Sequence, residues 1–347
     1  MSYFFIKRLW FFKLAVLVLF FSSCKKEAEE PQENIPIFQN RVFVINEGAF
    51  QNGNASLSVY DKKNKGLYID VYKEKNGTGL GDIFQSMLIK DNKIFLAINN
   101  SNKILVADLS DYHNIGEISS VSSPRYILPV TTTKAYVSSL WDHNLAIIDM
   151  NELKITGYIP MPGWTEEMAM VNNTAFVTSV RSSAVYLVNT STDMVIDSIV
   201  VGVSPKNILK DKNNKLWVLC GEYDSPYAQL VRINPQNKSI EFSLDIAINQ
   251  YNAPDNLKIN GTRDTLYFIE NGSVVYMSIA DSVPHLFLSS SHFITPYGLD
   301  IDPSNSEVYV ADAMDFSQKG YLLRFSPMGE IIDSMKIGYV PSGFYFE

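Results

Sequence analysis

Aromatic rings and hydrogen-bonding side chains are the residues of this sequence best suited to contact a ligand. They recur in polar segments between apolar strands, where loops carry binding groups. Aromatic faces beside amide and guanidinium donors favour a flat or ring-shaped polar ligand, through stacking and hydrogen bonds to its edge. The predicted ligand-binding residues are Asn102, Arg125, Tyr126, Trp141, His143, Trp164, Glu166, Arg181, Tyr223, Tyr227, Tyr297 and Phe316. About half of the rings in these loops are expected to serve packing instead.

Sequence signatures of catalysis are missing from the chain. It has no Gly-x-Ser-x-Gly nucleophile motif, no His-Glu-x-x-His zinc motif and no phosphate-binding loop. Gly77–Gly81 has the wrong spacing for a dinucleotide loop, and the segment after Asp300 lacks the glycine and distal glutamate of a calcium loop. The 4 histidines are not paired at metal-binding spacing. We therefore expect a binding protein rather than an enzyme, with no cofactor and no metal.

A strand pattern that repeats seven times must position these loops. Each repeat contains a short strand of β-branched and aromatic residues, and the strand centres lie 40 to 52 residues apart. The central aromatic residues are Phe43, Phe95, Tyr136, Phe176, Trp217, Tyr267 and Tyr309. This period, with polar turns and without a long 3.6-residue apolar repeat, predicts four-stranded propeller blades. The predicted fold is all-β, a seven-bladed β-propeller over residues 41–347.

The two ends of the predicted propeller complete a single blade. No strand precedes the first aromatic strand, whereas residues 340–346 have the form of a proline-led first strand. Pairing of these ends closes the ring and removes exposed strand edges. The residues that follow the leading prolines, aligned by the next apolar residue, predict an axial ring of Gln85, Arg125, Glu166, Lys206, Asp255, Tyr297 and Ser342. This mixed-charge ring is either a binding funnel or a solvated channel mouth.

Asp or Asn recurs where the third strand of a repeat ends. The positions are Asp61, Asp108, Asp149, Asn189 and Asn234. A short polar side chain at a turn accepts hydrogen bonds from the backbone N–H groups that follow it. We predict that these residues are structural rather than catalytic.

The N-terminus has the pattern of a lipoprotein signal peptide. A basic start precedes an apolar run from Leu14 to Phe21, and two serines separate that run from Cys24. The run is too short for a membrane-spanning helix, which needs about 20 apolar residues. We predict that residues 1–23 are removed, that Cys24 is lipidated and that residues 24–40 form a flexible tether.

Charged residues follow the cysteine directly. Residues 25–30 read Lys-Lys-Glu-Ala-Glu-Glu, which resembles the surface-export signal of Bacteroidetes-type lipoproteins. The alternative is a plain periplasmic linker. The net charge of −8 becomes three units more negative when the basic signal peptide is lost, and an acidic surface repels nucleic acid. We predict an outer-membrane protein that contacts the membrane only through its lipid, faces the cell exterior and binds no nucleic acid.

The repeats resemble the YVTN-type, YncE-like bacterial propellers. The first two blades contain a set of polar motifs: Asn46–Gly48, Asn54–Leu57, Asn76-Gly77, Leu80–Asp82 with Gln85–Met87, and Asn99–Ile104. In these motifs the chain resembles a narrower group, the Bacteroidetes surface-lipoprotein propellers. The BtuG type within this group captures cobalamin at the cell surface and sits on a TonB-dependent transporter. The resemblance implies surface capture of a small ligand, and it assigns no individual cobalamin contact.

Three functions are compatible with these observations. The first is a cell-surface protein that binds a small ligand, with a corrinoid such as cobalamin as one candidate, and passes it to a TonB-dependent outer-membrane transporter. The second is an adhesion or interaction module that binds a protein or glycan. The third is a hydrolase or lyase, which paired carboxylates and histidines on one face would favour. A neighbouring transporter gene would favour the first.

The lipoprotein prediction is tested by two variants. Replacing Cys24 by Ala removes the thiol that takes the lipid, so the protein should move to the soluble fraction of the cell. Replacing Lys26, Glu27, Glu29 and Glu30 by Ala keeps the lipid but removes the charged tether. This second variant should remain membrane-bound and become inaccessible to protease added outside the cell. Unchanged cleavage by external protease would contradict the export signal.

Overall fold

The computed structural model describes residues 40–222, 225, 227–248 and 253–347. The predicted signal peptide, Cys24 and Tyr223 lie outside the described residues, as does the predicted tether except for Asn40. Within these ranges no helix has the length and apolar character needed to cross a membrane.

The strands follow one another along the chain in seven groups. The first three groups are β1 (Arg41–Asn46), β2 (Ser56–Asp61) and β3 (Gly66–Tyr68) with helix α1 (Val71–Asn76); β4 (Phe84–Lys90), β5 (Lys93–Ile98), β6 (Lys103–Asp108) and β7 (Asn114–Ser119); and β8 (Pro124–Pro129), β9 (Lys134–Ser139), β10 (Asn144–Asp149) and β11 (Lys154–Pro160). The fourth and fifth are β12 (Thr165–Val171), β13 (Thr174–Ser179), β14 (Ala184–Asn189) and β15 (Met194–Val200); and β16 (Pro205–Lys210), β17 (Leu216–Cys220), β18 (Tyr227–Asn234) and β19 (Ser239–Ala247). The last two are β20 (Asp255–Ile259), β21 (Thr265–Glu270), β22 (Ser273–Ser278) and β23 (His285–Leu288); and β24 (Pro296–Ile301), β25 (Val308–Asp312), β26 (Lys319–Phe325) and β27 (Ile331–Tyr339), after which β28 (Pro341–Phe346) ends the chain. Short 3-10 turns lie at Asn99–Ser101 and Ser290–His292.

Groups two to seven each form one four-stranded antiparallel sheet, and the three strands of group one form the seventh sheet with β28; the sheets are numbered here as blades one to seven in chain order. The first strands of successive blades, from β4 to β28, contact one another in order and surround a central axis. Strand β28 pairs with β1 and supplies the inner strand of blade one. The predicted seven-bladed propeller with a C-terminal strand in the first blade is confirmed.

The core lies between neighbouring blades. Phe43 and Leu57 of blade one pack in one buried cluster with Leu96 and Leu105 of blade two, and the same arrangement continues around the ring. Each fully buried Leu or Phe side chain contributes about 1.5–3 kcal/mol relative to exposure. The aromatic residue predicted at the centre of each second strand therefore holds blades together rather than binding ligand.

The turns after the third strands form one face of the propeller, called the base here. The carboxylate of Asp149 accepts the backbone N–H groups of Asn151 and Glu152, each at 2.8 Å. Equivalent caps are made by Asp61, Asp108, Asn189 and Asn234. The structural role predicted for these residues is confirmed.

Contacts between the chain ends close the ring. In the β1–β28 ladder Val44 lies opposite Phe344, which is 6% exposed. At the base, the guanidinium of Arg41 donates to the carboxylate of Glu347 (Nη2–Oε1 2.7 Å) and to the hydroxyl of Tyr112 in blade two (3.0 Å). The last strand is therefore joined to both blade one and blade two.

Removing residues 341–347 should open the propeller. Loss of the buried Phe344 side chain alone costs about 3–5 kcal/mol, and the deletion also leaves one edge of β1 unpaired. We expect the midpoint of urea unfolding to fall sharply. The control is Glu330→Gln, an exposed acid before β27 that keeps the last strand and should change stability by at most about 0.5 kcal/mol. Equal unfolding midpoints for the truncated and full-length proteins would contradict closure by β28.

Candidate functional site

A cavity of about 1390 Å³ opens on the propeller axis, on the face opposite the base. The first strand of every blade lines it, together with the loop that follows the second strand of each blade. These seven loops form the face called the mouth here, and each contributes a lining residue: Glu47, Asn100, Trp141, Arg181, Glu222, Asn271 and Phe316. Pockets for drug-sized ligands are about 300–1,000 Å³, so this cavity admits a larger molecule.

The predicted axial ring lines the cavity. Its seven members are Gln85, Arg125, Glu166, Lys206, Asp255, Tyr297 and Ser342. In every blade the pairing between first and second strands shifts register at or beside this position. In blade two, Phe84 pairs with Ile98 and Ser86 with Ala97, which leaves Gln85 unpaired between them. Such a bulge bends the strand and redirects a side chain, here toward the axis.

Arg125 makes the central ion pair of the ring. Its Nε donates to the carboxylate of Glu166 at 2.8 Å, and its Nη1 donates to the side-chain oxygen of Gln85. Burial alone would lower the pKa of Arg125, but Glu166, Tyr126 and Glu47 raise it above its ordinary value. Arg125 is therefore a permanent cation, held by residues of the two adjacent blades.

Further ion pairs continue around the axis. Lys206 lies 3.8 Å from Asp255, and Lys258 lies 3.7 Å from Asp300. Glu167 accepts hydrogen bonds from neutral donors, the Asn207 side chain at 2.9 Å and a backbone N–H at 3.0 Å. Most of the axial charge is thus compensated within the protein.

Glu47 is the exception, since no described residue forms an ion pair with it. It directly follows β1 and is 8% exposed. The Tyr297 hydroxyl donates to its Oε2 at 3.2 Å. Burial raises the pKa of Glu47 to about 7, although Arg125, Tyr297 and Ser342 oppose part of this shift. Glu47 is not among the predicted binding residues. The sequence feature that could have identified it is an acid placed just after the apolar run Val42–Ile45, with only Asn46 between them.

One side of the mouth carries a tryptophan pair. The rings of Trp141 and Trp164 meet edge to face with centroids 4.5 Å apart. The Arg181 guanidinium lies 4.8 Å from the centroid of Trp164. Trp164 is thus held between two neighbours, whereas Trp141 is 60% exposed and presents an open ring to the cavity.

A second aromatic group lies nearly opposite, where blades seven and one meet. Phe316 contacts Tyr297 edge to face at 5.1 Å, and Phe50 is exposed. Blades three and four, which carry the tryptophans, are separated from this group by about half of the ring. The entrance is therefore bordered by apolar rings on two sides. Beneath them lies a charged floor, formed by the axial ring together with Glu47.

The structure brings most of the predicted binding residues together. Those that line the cavity are Arg125, Tyr126, Trp141, Trp164, Glu166, Arg181, Tyr297 and Phe316.

Three predicted binding residues lie away from the lining. The side-chain oxygen of Asn102 accepts the backbone N–H of Ser123 at 2.8 Å, so Asn102 holds a loop. His143 is exposed, and Tyr227 is half-exposed at the start of β18. Tyr223 is outside the described residues. Strand and turn patterns predict which loop contains a residue, but they do not predict the direction of its side chain.

One cluster of described residues has the composition of a metal site. Asp108, Asp111 and His113 lie together at the base, away from the cavity. Asp111 is already paired with Lys75 at 2.7 Å and with the ring of His113 at 2.6 Å. Ser110 donates to Asp108. These local partners account for the cluster, and no metal is assigned to it.

Together, these features define a seven-bladed β-propeller with a large, aromatic-bordered axial cavity. The chain belongs to the DUF5074 family, a domain of unknown function, whose family model matches residues 40–347. No curated protein matches the sequence significantly.

Several solved propellers are similar in fold. A quinonprotein alcohol dehydrogenase-like protein from Bacteroides thetaiotaomicron has a TM-score of 0.70 and 14% identity, over 90% of this chain and 79% of that one. The periplasmic gluconolactonase of Pseudomonas aeruginosa has a TM-score of 0.67 and 10% identity, over 88% and 99%. A 6-phosphogluconolactonase-like protein from Bacteroides fragilis has a TM-score of 0.66 and 9% identity, over 92% and 100%. Identities this low establish the shared fold alone.

The Arg125–Glu166 pair should control the stability of the axial ring. Arg125→Gln leaves the 6%-exposed Glu166 without its cation, which should lower the free energy of unfolding by about 3 kcal/mol. Adding Glu166→Gln removes the uncompensated charge and should restore most of that loss. The control is Arg181→Gln, an exposed cation whose removal should cost below about 1 kcal/mol. A double variant no more stable than Arg125→Gln in urea unfolding would contradict this account.

Proposed function

We propose that this protein captures a large, flat-sided polar molecule in its axial cavity, and that a corrinoid such as cobalamin is the ligand. It then passes the ligand to a TonB-dependent outer-membrane transporter while its lipidated Cys24 holds it at the membrane. The observation that carries this proposal is the cavity of about 1390 Å³ with exposed aromatic rings above a polar floor.

The size of the cavity favours a ligand larger than a typical cofactor or metabolite. A pocket of this volume exceeds the usual range of about 300–1,000 Å³, so a small molecule would contact only part of the wall. A corrinoid combines a broad macrocycle with amide side chains around its edge. It could therefore touch the mouth and the floor at the same time.

The chemistry of the lining matches such a ligand. The open ring of Trp141 offers a stacking surface, and Phe50 and Phe316 offer apolar contacts on the other side. Gln85 and Asn100 place amide groups between these rings. Stacking on aromatic faces with hydrogen bonds to the ligand edge is the combination expected for a flat polar molecule.

The predicted lipid anchor favours a protein that captures its ligand for a transporter in the same membrane. A protein tethered beside a transporter raises the effective concentration of bound ligand at that transporter without any new contact. This benefit is greatest for scarce nutrients. The sequence features that support the anchor are the apolar signal segment and Cys24.

Isothermal titration with cyanocobalamin tests the proposal. Trp141→Ala removes the exposed stacking ring and should weaken binding by 2 kcal/mol or more, about thirtyfold. The control is Tyr158→Ala in the same blade, an aromatic residue that is 52% exposed on the outer strand β11, and it should bind normally. Absence of heat at micromolar protein would refute corrinoid binding. Equal weakening in both variants would refute the stacking role of Trp141.

A further inference from the structure

The cations that line the cavity already form ion pairs with acids of the protein. The lining contains four basic residues among the described residues, and each lies within 4.0 Å of an acid: Arg125 with Glu166, Lys206 with Asp255, Lys258 with Asp300 and Arg181 with Glu222. An anionic ligand group would compete with these acids for the same cations. The floor therefore attracts phosphate or carboxylate less strongly than four unpaired cations would.

Two acids of the lining remain outside these pairs. Glu167 is compensated by the amide of Asn207 and by a backbone N–H. Glu47 receives the Tyr297 hydroxyl at 3.2 Å and is also stabilised by the Ser342 hydroxyl, but within the described part of the chain it has no ion-pair partner and no amide donor. A buried carboxylate with so few donors is costly unless another partner completes it.

We infer that Glu47 forms a subsite on the cavity floor for an N–H donor group of the ligand, either a primary amide or an ammonium. The inference rests on the proposed function and deepens it, because it names the ligand chemistry recognised at the floor. Corrinoid side chains end in primary amides, so the subsite is compatible with that ligand. It is equally compatible with another large molecule that carries amide or amine groups.

The backbone around Glu47 holds its side chain in place for this role. The N–H of Glu47 donates to the carbonyl of Val340 at 2.9 Å, and its carbonyl accepts the N–H of Phe84 at 3.1 Å. The backbone N–H of Glu47 is thus bonded to the residue before the inner strand of blade one, and its carbonyl is bonded to the inner strand of blade two. The following Gly48 has φ 83°, and a Cβ there would lie 2.6 Å from a backbone nitrogen. The chain therefore turns sharply at Gly48, directly after Glu47, whose carboxylate lines the cavity beside Tyr297.

Protonation of Glu47 should make recognition dependent on pH. The groups that face it are Arg125 from β8, Tyr297 from β24, Ser342 from β28 and Asp255 from β20. Burial places the pKa of Glu47 at about 7, so the carboxylate forms mainly above neutral pH. The ionised carboxylate accepts N–H groups with both of its oxygens, whereas one oxygen of the protonated acid carries a hydrogen and acts as a donor. The ionised fraction rises about tenfold between pH 6 and pH 8, and affinity should rise with it.

The first experiment measures cyanocobalamin affinity at pH 6, 7 and 8. The native protein should bind about tenfold more tightly at pH 8 than at pH 6. Glu47→Gln, which imitates the neutral acid, should bind about tenfold more weakly than the native protein at pH 8 and show a flat pH profile. Glu152→Gln, an exposed acid at the base, is the matched control and should follow the native profile. An unchanged profile in Glu47→Gln, or tighter native binding at low pH, would overturn the subsite.

The second experiment separates the subsite from the corrinoid proposal. Propylammonium, propionamide and propionate at millimolar concentration are compared by saturation-transfer NMR. The ammonium and the amide should give signals that Glu47→Gln abolishes, whereas propionate should give none. If these fragments bind and cyanocobalamin does not, the corrinoid proposal fails and the subsite stands. If the ammonium and the amide bind no better than propionate, the subsite is wrong even when cyanocobalamin binds.

Discussion

The pairing of β28 with β1 is the contact on which the remaining architecture depends. Six complete blades and a three-stranded first blade would otherwise follow one another as an open array, with unpaired strand edges at both ends. Closure brings blade seven against blade one and completes the wall of the axial cavity with Ser342. It also places Glu47 beside Tyr297, two residues that are 250 positions apart. The site is therefore a product of ring closure and has no counterpart in any single blade.

The axis of the propeller balances two opposing requirements. Between the blades the core is apolar and needs no hydrogen bonds, whereas the inner strands face a water-accessible space. The bulges at the ring positions allow each inner strand to keep its apolar residues in the core while one polar residue turns to the axis. Charges gathered there must be compensated, because an unpaired buried ion costs several kcal/mol. Arg125 and Glu166 meet this requirement together, and Glu47 does not.

The periodic features of the sequence were sufficient to predict the fold. Aromatic strand centres such as Phe43 and Trp217 repeat because every blade interface needs the same packing. In five blades a proline directly precedes the residue that reaches the axis. Side chains in loops follow local geometry instead. Asn102 lies in the predicted loop but accepts the backbone N–H of Ser123, and His143 is exposed outside the cavity lining. Glu47 was not predicted because its lack of an ion-pair partner follows from the pairing of the cations around it, and that pairing is known only from the structure.

The direction of β1 determines on which face the chain enters the propeller. Arg41 lies at the base, and the strand runs from there toward Glu47 and the mouth. Six residues of strand span about 20 Å, so the chain joins the propeller roughly that far from the ligand floor. Asn40, the first described residue, is exposed on the face opposite the cavity entrance. A label or fusion partner attached beside it would therefore leave the entrance open.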